Sequence, residues 1–228
     1  MDTKRILVIA AHPDDEILGA GGAMAKHVAN KDQVVVLILG EGVTSRKGDE
    51  RAEDKVTALG EQSKSANDII GVSSIHYANF PDNKFDTVPL LSIAQTIEAI
   101  AEEFKPNIIF THHHGDVNVD HRLTSDAAQS AFRPMQGSTV EAIYAFEIAS
   151  SSEWNFRHGS AFRPNVYLDI SGESLNKKIA AMEAYATEIR EFPHPRSSKY
   201  LRALATVRGG QVGIMEAEAF ELVYKKGL

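Results

Sequence analysis

Hydrophobic and polar positions along the chain follow two different periods. Short apolar runs such as Ile6-Leu7-Val8-Ile9-Ala10 are typical of buried strands, whereas apolar residues recur with helical spacing after Glu16. Up to Phe132 the order is β-α-β-α-β-α-β-α, which predicts a mostly parallel sheet with helices on both faces. The predicted strands are Lys4–Ala10, Gln33–Leu39, Ser74–Tyr77 and Asn107–Thr111, and the predicted helices are Glu16–Ala29, Ala52–Ile70, Pro89–Phe104 and Leu123–Phe132.

The C-terminal part continues the same alternation. It predicts strands at Glu141–Phe146 and Asn165–Ile170, helices at Ser174–Glu191 and Lys199–Arg208, and a final edge strand at Ala219–Tyr224. The sequence contains no internal repeat, low-complexity tract or clear linker. We therefore expect residues 1–228 to form a single domain, which is an ordinary size for one α/β unit.

Composition narrows the functional classes. The 24 Lys and Arg against 31 Asp and Glu give a net charge of −7, which argues against a nucleic-acid partner. Because the chain has no cysteine, disulfides, thiolate metal sites and cysteine nucleophiles are excluded. The N-terminus lacks a signal-peptide pattern, and no apolar run reaches membrane-spanning length. We expect a cytoplasmic protein without integral membrane contact.

Candidate chemistry begins directly after the first predicted strand, in Ala11-His12-Pro13-Asp14-Asp15-Glu16. This turn lies at the carboxyl end of a strand, where open α/β sheets bind their ligands. One histidine and two aspartates in such a turn indicate hydrolytic metal chemistry. The alternative is that Asp14 and Asp15 only cap the helix, since Asp is favoured at helix starts.

A second polar cluster follows the strand Asn107–Thr111. Four of the nine histidines fall between residues 112 and 121. Along an extended segment, His112 and His114 would point one way and His113 the other. His121 is the best ligand candidate, because a helix start disfavours the imidazolium and a metal binds the neutral imidazole. Asp120 is expected to orient a nearby histidine from behind.

The glycines Gly19, Gly21 and Gly22 do not indicate a dinucleotide site. They fall inside the first predicted helix and lack the full G-x-G-x-x-G pattern at the strand end. Close packing between helix and sheet explains them better.

The AHPDDE segment and the downstream Asp120-His121 together resemble the PIG-L/LmbE family of zinc-dependent N-deacetylases. Stretches at residues 42–46, 80–83 and 192–197 also fit this resemblance, which extends over nearly the whole chain. It implies a Rossmann-like three-layer sandwich with a mostly parallel central sheet. It further implies that His12, Asp15 and His121 bind one zinc ion per chain and that Asp14 is the general base.

One position departs from the family pattern. Many members have His-Pro-Asp-His in the second motif, and the leading histidine is assigned to stabilising the charged intermediate. Here Asn118 takes that place, and a neutral amide can donate a hydrogen bond but cannot act as a cation. The helper is therefore left open between Asn118 and the histidines His113, His114 and His194. Arg46, Asn118 and Arg196 are the candidates for substrate contact, with surface ion pairs as the alternative for the arginines.

The resulting hypothesis is a zinc-dependent hydrolase that removes acetyl from an N-acetylated amino sugar or its conjugate. The resemblance also implies a homo-oligomer. Two alternatives stay open. Two histidines and one carboxylate also describe the iron(II) site of oxygenases, and a non-catalytic sugar-binding module is compatible with the same fold.

Overall fold

The computed structural model describes residues 3–42, 52–156 and 160–227. The strands are β1 (Arg5–Ala10), β2 (Gln33–Gly40), β3 (Ser74–Phe80), β4 (Ile108–His112), β5 (Ala142–Phe146), β6 (Val166–Asp169) and β7 (Ala217–Lys225). The helices are α1 (Asp15–Ala29), α2 (Ala52–Ile70), α3 (Leu90–Phe104), α4 (Val119–Ala131), α5 (Glu173–Ala184) and α6 (Ser198–Gly210). Short 3₁₀ turns lie at Phe85–Thr87 and Ser152–Trp154.

The strands form one seven-stranded sheet in the order β3-β2-β1-β4-β5-β7-β6. The first five in this order are mutually parallel, and β7 runs antiparallel to both β5 and β6. Apolar side chains of α1, α2, α5 and α6 form the core on one face of the sheet. Those of α3 and α4 cover the other face. This arrangement confirms the predicted three-layer α/β fold.

Four predicted elements are wrong in detail. Helix α4 begins at Val119, four residues before its predicted start at Leu123, so His121 lies within its first turn. The last strand is not at the edge, because β7 lies between β5 and β6 and leaves β6 outermost. The helix predicted to reach Glu191 ends at Ala184, after which Tyr185 is fully buried. The strand that begins at Ser74 continues to Phe80, past its predicted end at Tyr77. The two strand errors fall where pairing and packing within the sheet, and not local periodicity, determine the structure.

The glycines of α1 let the helix pack closely on its neighbours, as predicted. A Cβ atom at Gly19 would overlap the Phe146 ring, and one at Gly22 would lie 2.7 Å from Ile170 Cδ1. The N–H group of Gly22 donates to Glu218 Oε1, at 2.8 Å. Lys178 Nζ donates both to the Leu18 carbonyl and to Glu218, so this buried ion pair packs against the middle of α1.

The strand order brings the two polar segments together. β1 pairs with β2 on one side and with β4 on the other, so the chain reverses direction across the sheet between them. Such a switch point opens a crevice at the carboxyl ends of the strands. The turn after β1 and the loop after β4 both lie at this crevice.

Candidate metal centre

His12, Asp15 and His121 converge at the switch point. Asp15 Oδ2 lies 3.4 Å from His12 Nδ1 and 3.2 Å from His121 Nε2. All three residues are buried, and their ligand atoms lie within 4.8 Å of one another. The structure therefore places the three residues predicted as metal ligands in one cluster, although they come from two segments more than a hundred positions apart.

The donor set fits a divalent metal ion. Asp15 Oδ1 is buried and has no hydrogen-bond partner among the described residues. A buried carboxylate oxygen without a partner is costly, so this atom is suited to a cation. Two imidazole nitrogens and one carboxylate oxygen are the ligands found in catalytic zinc sites, which leave further positions for water or substrate.

The two histidines of the cluster are held by different carboxylates. His121 Nδ1 lies 3.2 Å from Asp116 Oδ1, and His12 Nε2 lies 2.9 Å from Asp120 Oδ2. Asp120 also accepts the backbone N–H groups of Asn83 and Phe85. Carboxylates at these positions fix the ring orientation and tautomer of a metal-binding histidine. Asp120 thus orients His12 and not His121, the residue that follows it in sequence. His121 is oriented by Asp116.

The carboxylates attract positive charge to the cluster. Burial lowers the pKa of the His12 imidazole, but the hydrogen bonds to Asp120 and Asp15 outweigh it and bring the pKa to about 10. Burial likewise opposes the charge on His121, but Asp15 and Asp116 raise its pKa to about 9. Both shifts have the same physical cause, since an opposite charge nearby favours the ionised form. The cluster is therefore built to hold a cation.

Asp14 is the N-cap residue of α1, but its side chain does not cap the helix. Its side chain makes no capping hydrogen bond, and its backbone is left-handed with φ 102°. Such a backbone costs about 1–3 kcal/mol in a residue other than glycine and is concentrated at functional sites. It directs the carboxylate to Arg196, whose Nη1 lies 2.6 Å from Asp14 Oδ2 and 3.2 Å from Glu188 Oε2.

The charge of Asp14 depends on two opposing effects. Burial raises the pKa of its carboxyl, and the Arg196 guanidinium lowers it again, with the net pKa above the usual range. Asp15, the neighbouring carboxylate, has a lowered pKa because the histidines outweigh its own burial. The two adjacent acids therefore occupy distinct environments, which is typical of acids with separate roles.

The cluster opens into a cavity of about 570 Å³. Metal-cluster residues, the Asp14–Arg196 pair and loop residues from both halves of the chain form its wall. The lining residues are His12, Pro13, Asp14, Gly42, Asp82, Asn83, Val117, Asn118, Val119, His121, Ser150, Ser151, Trp154, Glu188 and Arg196.

The remaining predicted site residues take different positions. Asn118 caps α4, its Oδ1 accepting the Asp120 N–H at 2.8 Å, and it lines the cavity. His194 lies near the rim, its ring 6.0 Å from that of Trp154, and its Nδ1 accepts the Arg196 N–H. Arg46 lies outside the described residues.

The three adjacent histidines do not alternate as predicted. His112 turns to the metal cluster, where its ring stacks on His121 at 4.1 Å between centroids. His113 and His114 both turn away, and their rings are 4.6 Å apart. His113 contacts Glu221 and the Ser160 carbonyl through its two ring nitrogens. The structure therefore does not bring His113 together with the predicted catalytic residues.

Three residues of the site were not predicted from the sequence. Asp116 and His112 lie in the histidine-rich segment, but their sequence positions do not show which ring they contact. Burial together with the charge of His121 lowers the pKa of His112 to about 3, so this ring is neutral. Glu188 joins the site through Arg196, and no local pattern identifies it.

The polypeptide carries no helix, within the described ranges, that is long and apolar enough to cross a membrane. Residues 7–132 match the model of the family PIG-L, described as GlcNAc-PI de-N-acetylase. The chain is 25% identical to the diacetylchitobiose deacetylase of Thermococcus kodakarensis, over 97% of the chain and 84% of that protein. It is 30% identical to the 4-oxalmesaconate hydratase of Pseudomonas putida, over 99% and 88% respectively.

Among solved structures, the N,N'-diacetylchitobiose deacetylase of Pyrococcus horikoshii superposes with a TM-score of 0.79 at 18% identity. The match covers 97% of this chain and 84% of the other. At this identity it establishes the fold, which agrees with the three-layer sandwich described above. The family match and the named deacetylases among its relatives confirm the resemblance seen in the motifs. The chain is an enzyme of the N-deacetylase type and belongs to the PIG-L family.

Proposed function

We propose that this protein is a zinc-dependent hydrolase that removes the N-acetyl group from an N-acetylated amino sugar or sugar conjugate. The observation that carries the proposal is the convergence of His12, Asp15 and His121 beside a fourth buried residue, Asp14. A sugar-binding module has no need of a proton acceptor next to its metal ligands. Amide hydrolysis needs both.

The roles follow from the contacts. His12, Asp15 and His121 would hold the zinc ion. When bound, zinc lowers the pKa of water from 15.7 towards about 7 and polarises the acetyl carbonyl. Asp14 takes the proton from the attacking water, since it lies beside the ligands but is directed to Arg196 instead of Asp15. Arg196 fixes the orientation of the Asp14 carboxylate, and its charge partly offsets the effect of burial on the pKa of that carboxyl.

Asn118 is the side chain best suited to assist the developing oxyanion. It lines the cavity, and among the described residues its Nδ2 makes a single, long contact of 3.4 Å with Asn83 Oδ1. His113 is unsuited to this role, because both of its ring nitrogens contact groups on the far side of the loop. His194, at the rim, is placed to contact the part of the substrate beyond the acetyl group. Such donors act by stabilising charge that develops in the transition state.

The test is a panel of N-acetylated sugars that are free, glycosidically linked, phosphorylated or nucleotide-linked. Zinc-loaded enzyme is expected to release acetate and primary amine in equal amounts from at least one of them. Chelator-treated enzyme should release neither until zinc is restored. Restoration of activity by iron(II) but not by zinc would contradict the metal assignment. No release from any compound would contradict the function.

A hydratase is the second candidate. It is favoured by the 30% identity with the Pseudomonas putida 4-oxalmesaconate hydratase over 99% of the chain. The two reactions differ in their products, since hydration adds water to the substrate and releases no acetate. Incubation with 4-oxalmesaconate, followed by mass spectrometry for a gain of one water, separates the two candidates in a single assay.

A further inference from the structure

A second histidine cluster lies on the side of the β4–α4 loop that faces away from the metal centre. It consists of His113, His114 and Glu221. Their ligand atoms lie within 4.8 Å of one another, as those of His12, Asp15 and His121 do. No residue is shared between the two clusters.

The hydrogen bonds of His113 present a conflict that a cation resolves. Its Nε2 lies 2.9 Å from the Ser160 carbonyl oxygen, and its Nδ1 lies 2.7 Å from Glu221 Oε2. A neutral imidazole has one donor and one acceptor nitrogen. Because the Ser160 carbonyl only accepts, Nε2 carries the hydrogen, and the Nδ1 lone pair then faces a carboxylate oxygen. A second proton on Nδ1 would remove this conflict, and so would a metal ion bound by both Nδ1 and Oε2. The metal ion would require these two atoms to separate from their present 2.7 Å, because each metal–ligand bond is about 2 Å long.

The groups around His113 match those around a metal-binding histidine. Such a histidine donates its other ring N–H to a carbonyl or carboxylate, as His113 does to Ser160. Ligating carboxylates also accept hydrogen bonds, and Glu221 Oε1 accepts the backbone N–H of Arg163 at 2.5 Å. Gly115 permits this approach, because a Cβ there would lie 2.5 Å from His113 Nε2 and would overlap the Ser160 carbonyl.

The surroundings leave access and room for further ligands. His113 is buried, whereas His114 is exposed and Glu221 is half-buried. His114 and Glu221 line an open cavity of about 620 Å³ together with Asp126 and Gln129 of α4. Two imidazoles and one carboxylate in an open site suit Zn²⁺ or a similar divalent transition metal, with water completing the coordination.

We propose that His113, His114 and Glu221 form a second divalent transition-metal site, with Zn²⁺ as its preferred ion, separate from the catalytic cluster. The site connects the loop after β4, which leads to Asp116 and His121, with β7, which lies on the far side of β5 in the sheet. A metal bound there would fix the loop that positions a catalytic ligand. It would contribute no group to the reaction itself.

Zinc stoichiometry tests the proposal. The full chain is stripped with a chelator, dialysed against buffered free zinc, and analysed for bound zinc per chain by elemental mass spectrometry. Wild type should bind two ions, and His114→Ala and Glu221→Gln should bind the second at least about 10-fold more weakly. His76→Ala, a histidine outside every metal-binding cluster of the described residues, is the matched control and should keep two.

A variant of the first site makes the result independent of catalysis. His121→Ala, which lacks one catalytic ligand, should retain one zinc that is lost on adding His114→Ala. Thermal melting of each variant shows whether it is folded, and His114 is exposed, so its replacement should not affect the core. One zinc in wild type and none in His121→Ala would overturn the proposal, and His113 and Glu221 would then form an ion pair through a proton.

Discussion

Replacing Asp116 by asparagine tests whether a carboxylate behind His121 sets the affinity of the catalytic metal. Asp116 Oδ1 lies 3.2 Å from His121 Nδ1 and accepts the Asn118 N–H at 2.8 Å. It also accepts hydrogen bonds from the hydroxyls of Ser151 and Ser152. These contacts, together with His121, outweigh the effect of burial and lower the pKa of Asp116, so it is ionised when the histidine binds metal.

The size of the effect follows from the contact that is weakened. A hydrogen bond to a charged group contributes about 1.5–3 kcal/mol and a neutral one about 0.5–1.5 kcal/mol. Removing the charge should therefore cost on the order of 1–2 kcal/mol of metal binding. Substitutions of this kind typically lower metal affinity about 10–100-fold, which corresponds to about 1.4–2.8 kcal/mol. We expect the zinc dissociation constant of Asp116→Asn to rise by that factor.

Competition with a chromophoric chelator measures the dissociation constant on folded protein. Asp68→Asn is the matched control, because Asp68 is an exposed acid on α2 and its replacement should leave zinc affinity unchanged. Melting of the metal-free proteins separates lost stability from lost affinity. If Asp116→Asn binds zinc as tightly as wild type, the Asp116 carboxylate does not support His121 as a metal ligand.

Three further substitutions test the catalytic base and the packing. Asp14→Asn should lower kcat by about two to four orders of magnitude with unchanged zinc content, because the variant loses the proton acceptor but no metal ligand. Acetate release at near-wild-type rates would contradict the role of Asp14 as general base. Gly19→Ala should lower the free energy of unfolding by about 1–3 kcal/mol, because its methyl group overlaps Phe146. The control is Gly60→Ala, whose Cβ meets no described atom within 4 Å, and it should raise the free energy of unfolding by up to about 1 kcal/mol. Urea unfolding measures the two glycine variants, and equal effects would contradict the packing explanation. Lys178→Met should lower the free energy of unfolding by about 3–5 kcal/mol, because Glu218 is left buried without its counterion. A loss of less than about 1 kcal/mol in chemical denaturation would contradict a stabilising role for this ion pair.

The convergence of the proposed metal ligands was predictable, because each lies in a short segment next to a recognisable strand. His12 and Asp15 follow the apolar run of β1, and His121 follows that of β4. Parallel strands present their carboxyl ends at the same edge, so two polar segments at neighbouring strand ends are expected to meet. The sequence did not show that β1 and β4 are neighbours. They are adjacent because the strand order reverses beside β1, so that β2 and β3 lie on one side of it and β4 on the other.

The partners of those ligands were harder to infer. Asp120 is adjacent to His121 in sequence, but consecutive residues on a helix point in different directions. Asp120 therefore reaches His12, and His121 is supported by Asp116 from the loop before the helix. The alternation expected for His112, His113 and His114 requires an extended backbone. It failed because β4 ends at His112 and the chain turns immediately after it.

The roles of Asp14 and Asp15 depend on a residue from the other end of the chain. Both acids are buried at the same turn, and burial alone would disfavour ionisation of each. For Asp15 the histidines of the metal cluster compensate, and these lie in segments that the motifs already identify. For Asp14 the opposing charge is Arg196, which is 182 positions away and reaches the site through the loop after Tyr185. Arg196 lowers the pKa of Asp14, but burial raises it more, so the net pKa stays above the usual range. The hexapeptide therefore contains two of the three proposed metal ligands and the proposed base, but the charge that favours ionisation of that base comes from the C-terminal half of the chain.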